Sequence, residues 1–129
     1  MAAKMSKKKL TVFDMDGTLI DGRVVFAIGE RWNFVKKVEM MMKLNIPNYL
    51  ISEKIAKLLR GLKVTDVIKT IEKIPLIEGV EETFKILRQK GYKIGIISDS
   101  YTLATDYFGK KLGANFTIAN RLEEKNGIL

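Results

Sequence analysis

The chain has 129 residues, 47% of them hydrophobic and 29% charged, and its 23 Lys and Arg exceed its 15 Asp and Glu to give a formal net charge of +8. That length supplies the core of one domain or an incomplete piece of a larger one, and no run of about 18 apolar residues marks a membrane span. Cys and His are both absent, which removes thiol nucleophiles, Ser-His-Asp triads, thiolate zinc sites and disulfides. Hydrolytic chemistry would have to rest on carboxylates, hydroxyls, Lys, Arg and a hard oxygen-bound cation such as Mg²⁺.

Residues 1–8 read as a flexible start, with Met5 as an alternative initiator. The basic cluster Lys4, Lys7, Lys8 and Lys9 precedes no secretory h-region, so the chain reads as cytoplasmic. A strand is expected from about Lys9 to Asp14, with Val12 and Phe13 buried and Gly17-Thr18 turning the chain. Asp14 and Asp16 then stand at the carboxyl end of a strand, where parallel sheets present their ligands. One carboxylate can be a nucleophile and the other an acid/base, if a cation offsets their repulsion.

From Asp21 to about Lys43 an irregular helical pattern carries Val24, Val25, Ile28, Trp32, Val35 and Val38, until Asn45, Pro47 and Asn48 break it. A second helix fits Ile51 to Leu59 and stops at Gly61. A third follows Thr65 as candidate N-cap, through Val67, Ile68 and Ile71. Gly79 to Lys90 is an amphipathic helix with Val80, Phe84 and Leu87 inward. Tyr92 to Ile97 reads as a buried strand ending at Ser98, Asp99 and Ser100. A helix from about Tyr101 to Leu112 and a short strand from Asn115 to Ala119 follow, and Asn126-Gly127 signals a type I′ turn.

The positive charge favours anionic partners. Lys54, Lys57 and Lys63 fall on helical faces where solvation explains them. With no aromatic interleaving to stack bases, neither nucleic acid nor membrane is expected as a partner.

The string Asp14-Met15-Asp16-Gly17-Thr18-Leu19 resembles the first motif of the haloacid dehalogenase-like superfamily, D-x-D-G-T-[LV]. Ser98, ending the strand of GIISDS, resembles the second motif. The span from Leu10 to Leu129 is similar to the phosphoserine phosphatase-like branch, through EGVEETFKILRQKGYKIGIIS and KLGANFTIANRLEEKNGIL. This resemblance implies an α/β fold, a partial Rossmann-like core with a parallel sheet and an inserted helical cap. The core would hold residues 1–20 and 76–129, and the cap residues 21–75. It further implies phosphomonoester hydrolysis with Asp14 attacking phosphorus to form an aspartyl-phosphate. Asp16 would protonate the leaving oxygen and deprotonate the hydrolytic water. Mg²⁺ would be held by the Asp14 carboxylate and the Asp16 backbone carbonyl. Ser98 would bind phosphoryl oxygens beside Asp99, helped by N–H groups entering the next helix; the alternative is that Ser98 or Ser100 caps that helix. The partner would be a small phosphorylated substrate.

Two positions depart from the branch pattern. Arg23 stands where its phosphoserine phosphatases place a Glu that contacts the substrate amine. Asp99 and Ser100 stand where Gly-Gly follows the motif-two Ser. An Arg repels an ammonium and attracts a second anion, so another phosphomonoester is as well matched as phosphoserine; a solvated cap residue is the alternative for Arg23. The third-motif Lys and the acidic fourth motif have no counterpart here. The chain is therefore expected to be a fragment with little activity alone or a degenerate relative, and a non-catalytic module binding a phosphorylated ligand or a protein is the rival reading.

Overall fold

The computed structural model describes residues 8–129, so the expected flexible start and Met5 fall outside it, Lys8 excepted. Three parallel strands form one sheet in the order β1 (Lys9–Phe13), β2 (Tyr92–Tyr101) and β3 (Phe116–Asn120). Val12 pairs with Gly95 and Ile97 with Ile118, which places β2 at the centre. Parallel neighbours need crossover connections, and here they are helical. Between β1 and β2 lie α1 (Val24–Trp32), α2 (Val35–Met42), α3 (Asn48–Leu58), α4 (Val64–Glu72) and α5 (Val80–Gln89); α6 (Thr102–Leu112) joins β2 to β3.

Side chains alternate across a strand, and both α5 and α6 cover the same face of this sheet. Phe13 stacks on Phe84 of α5 with ring centroids 5.1 Å apart, and Thr117 Oγ1 donates to Asp106 Oδ1 of α6 at 3.0 Å. Ile94 and Ile96 share that face and are fully buried. The opposite face carries Leu10, Val12, Ile97 and Ile118, which are exposed. The sequence reads β1 and the apolar part of β2 as buried; Val12 and Ile97 are each 45% exposed instead. The physical reason is one-sided cover: no described helix lies over that face. Gly95 is needed there because the Phe116 ring lies where a Cβ would stand.

The predicted helix over 21–43 is two helices, α1 and α2. Asn33 adopts φ 62° and ends the first, its N–H reaching Gly29 O, a conformation that Asn tolerates better than most residues. The third predicted helix starts at Val64 after Lys63, so Thr65 is not its cap. Strand β2 runs on to Tyr101, with its register against β3 shifting between Ile97 and Tyr101.

Helices α1 to α4 pack on one another and α4 packs on α6, so one apolar cluster runs from Met15 and Ile20 through Ile28, Val38 and Ile71 to Phe84, Ile96 and Phe108. The chain leaves the sheet and returns to it along adjacent paths. Asp21 N–H donates to Pro75 O at 2.8 Å, Ile77 N–H to Leu19 O at 2.9 Å, and Ile20 bridges Leu76 in antiparallel sense. Asn126 and Gly127 have φ 54° and 77°, as the type I′ reading requires. That turn brings Ile128 against Lys63, and Leu129 N–H donates to Leu62 O at 2.9 Å.

Candidate active site

Asp14 follows β1 directly and is exposed. Its Oδ1 accepts from Met15 N–H at 2.8 Å. Met15 is fully buried, and its carbonyl oxygen accepts from the N–H groups of Thr18, Leu19 and Ile20 at 3.1, 2.9 and 3.2 Å. This tight loop needs Gly17 at φ 74°, where a Cβ would be strained. A buried side chain and a closed loop thus fix the segment that carries both acids.

Asp16 is the more enclosed of the two. Its Oδ1 is buried and has no hydrogen-bond partner. Burial pushes its carboxyl up to about 6, with the charges of Asp99 and Asp14 adding to the rise. The N–H of Val24, at the first turn of α1, and the Arg23 guanidinium pull the other way. A carboxyl poised there can give a proton near neutral pH and take one back.

Asp16 opens on a cavity of about 290 Å³. Asp16, Arg23, Asp99, Ser100 and Tyr101 form part of its wall, and Asn48 and Ser52 of α3 face it from the helical side. The structure therefore brings together three of the five residues singled out in the sequence. Asp14 and Ser98 are not among the lining residues. Asp14 acts on Asp16 through its charge, while Ser98 lies one residue before the cavity wall, buried, its Oγ accepting from Ser100 N–H at 3.0 Å.

Neither Ser98 nor Ser100 caps α6, because Tyr101 occupies the N-cap and no side chain there bonds the helix. Ser100 Oγ is buried without a partner. Burial, with help from the Asp99 charge, pushes the Tyr101 phenol up to about 12, so it stays neutral. Asn120 Nδ2 donates to Asp99 O at 2.8 Å and ties this segment to the end of β3.

Arg23 is exposed, and Met42 Sδ, 3.5 Å from Nη1, is its hydrogen-bond partner. The Asp14 carboxylate and the Asp16 backbone carbonyl offer hard oxygen donors of the kind Mg²⁺ takes, and the orphaned Asp16 Oδ1 is left for the proton that burial favours. Among the described residues, however, no three acidic groups converge as a metal cluster, so the donor set is partial. Sequence reasoning missed Asn48, Ser52 and Tyr101 as cavity residues and weighed Ser100 only as a cap. No local signal marks them, since their place depends on how α3 folds over the strand tips.

Residues 8–125 match the family of haloacid dehalogenase-like hydrolases. The chain is similar to the phosphoserine phosphatase of Methanocaldococcus jannaschii, at 36% identity over 129 residues, 95% of this chain and 60% of that protein. Among solved structures it resembles a phospho-aspartyl intermediate analogue of phosphoserine phosphatase, with TM-score 0.82 and 34% identity over 96% of this chain and 61% of the other. It also resembles a substrate-bound phosphoserine phosphatase complex, with TM-score 0.84 and 32% identity over 97% and 61%. The chain thus spans about 60% of the length of these proteins.

Proposed function

The chain belongs to the haloacid dehalogenase-like hydrolases, and on that premise we propose that it carries the nucleophile and the acid–base carboxylate of a Mg²⁺-dependent phosphomonoesterase acting on a small phosphorylated metabolite. The observation that carries this reading is the pair at the tip of β1. Asp14 is exposed, while Asp16, its carboxyl pushed up to about 6 by burial, stands at the wall of the cavity.

In the first step an Asp14 carboxylate oxygen bonds to phosphorus as the ester oxygen departs, and protonated Asp16 gives that oxygen its proton. In the second step water attacks the aspartyl-phosphate and yields its proton to Asp16, which regenerates Asp14 and releases phosphate. A carboxyl held near 6 suits both transfers at neutral pH. Ser98 Oγ–H donates to a phosphoryl oxygen, and Asp99 and Arg23 shape the cavity around the leaving group. Mg²⁺, held by Asp14 and the Asp16 backbone carbonyl, would offset the charge between carboxylate and phosphoryl oxygens. Residues 21–75 act as a cap over the strand tips, a division supported by the paired connectors at Asp21–Pro75 and Leu19–Ile77.

The partial metal donor set favours a second reading, a phosphate-binding module without turnover. Phosphate release from p-nitrophenyl phosphate with Mg²⁺ separates the two. Slow release that is lost in both Asp14→Asn and Asp16→Asn supports the enzyme. Release unchanged in Asp14→Asn contradicts it, and phosphate binding without any release supports the module.

A further inference from the structure

The cavity beside Asp16 has two chemically different walls. The strand-tip wall supplies Asp16 and Asp99, and the charge of the second acts on the first. The helical wall supplies Arg23 at the N-cap of α1 with Asn48 and Ser52 of α3. Arg23 is the one cation among the lining residues, and it forms no ion pair among the described residues. Its hydrogen-bond partner there is the thioether of Met42 at 3.5 Å, a weak acceptor that leaves most of the guanidinium's five N–H groups uncommitted.

A group bound beside Asp16 therefore shares its cavity with a planar cation that forms no ion pair among the described residues, and with an amide and a hydroxyl. A guanidinium binds a carboxylate through two parallel N–H donors. Asn48 and Ser52 offer further donors in the same cavity. The volume of about 290 Å³ admits a small phosphorylated molecule.

We propose that this cavity selects phosphomonoesters bearing a carboxylate a few bonds from the phosphate, held by Arg23, over those bearing an ammonium or an uncharged group there. The inference rests on the phosphomonoesterase reading, since the phosphate must sit at the strand tips for its substituent to reach Arg23. The acids of the other wall work toward the opposite preference: an ammonium that turned back toward Asp99 would find a carboxylate. The choice of probes exposes that outcome directly.

The test uses three ligands of similar size that differ at one end: 2-phosphoglycolate, ethyl phosphate and phosphoethanolamine. Each is titrated into the full chain with Mg²⁺ by calorimetry. Phosphoglycolate should bind about tenfold tighter than ethyl phosphate, and phosphoethanolamine no tighter than ethyl phosphate. Arg23→Gln, a change at an exposed position, should bring phosphoglycolate to within about twofold of ethyl phosphate. Equal binding of phosphoglycolate and ethyl phosphate, tightest binding of phosphoethanolamine, or a carboxylate preference surviving in Arg23→Gln overturns the inference while the phosphate reading stands. Failure of all three ligands to bind overturns both.

Discussion

Ser98 and Ser100 are joined by a hydrogen bond from the Ser100 N–H to Ser98 Oγ at 3.0 Å. It occupies one acceptor site of the hydroxyl and leaves the Ser98 proton free to donate. Ser98→Ala removes that donor and strands the Ser100 N–H in a buried place. Inorganic phosphate with Mg²⁺ is expected to bind roughly tenfold more weakly to Ser98→Ala, about 1.4 kcal/mol, and within about twofold of the parent for Ser98→Thr. Equal calorimetric affinity of parent and Ala variant contradicts the assignment.

The raised Asp16 carboxyl makes stability pH-dependent with a definite sign. Between its unfolded value of 3.8 and its folded value of about 6, the folded chain binds more protons than the unfolded chain. This group's contribution therefore declines as pH rises through that window. Urea melts in EDTA should show Asp16→Asn gaining on the parent by about 1–2 kcal/mol between pH 4.5 and 7.5, after allowance for its partial solvent access. A difference that stays constant across that range rules out the burial effect.

The one-sided cover of the sheet separates two kinds of apolar residue. Phe84 is 1% exposed and stacks on Phe13, whereas Ile118 is 55% exposed. Phe84→Ala should cost about 3–5 kcal/mol through transfer and cavity terms. Ile118→Thr should change stability by about 0.5 kcal/mol or less. Comparable losses in urea titrations would mean that both faces are covered in solution.

Arg31 joins α1 to α4. Its Nη1 donates to Asp66 O at 2.6 Å and Thr70 Oγ1 at 2.8 Å, while its Nη2 lies 3.7 Å from Asp66 Oδ1, with both side chains partly exposed. The hydrogen bonds should outweigh the ion pair. Arg31→Ala is expected to cost about 1–2 kcal/mol, and Asp66→Asn about 0.5 kcal/mol. An equal cost for the two, by thermal or urea melts, would assign the contact to charge instead.

The alternation of apolar strand and amphipathic helix was legible from Gly79 to Asn120, because its period is local and its stops are glycines. So was the placement of Asp14 and Asp16 beyond an apolar strand. The break at Asn33 was not, since the apolar stripe of α1 and α2 runs through it and a left-handed Asn leaves little trace in hydrophobic spacing. The exposure of Val12 and Ile97 was likewise hidden: an all-apolar strand looks the same whether one face or both are covered. Of the cavity, Asp16 could be found by motif, and Asp99 and Arg23 as departures from one. Asn48 and Ser52 could not, because only the fold of α3 over the strand tips brings them there.

Under the proposed function, Asp14 takes the phosphoryl group while Mg²⁺ is shared at the tip of β1. Beryllofluoride, a phosphoryl mimic that bonds to carboxylates, tests it by ¹⁹F NMR. Bound resonances that need Mg²⁺, persist in Asp16→Asn and vanish in Asp14→Asn are expected. Resonances that survive in Asp14→Asn, or none at all in the parent chain with Mg²⁺, would contradict the claim.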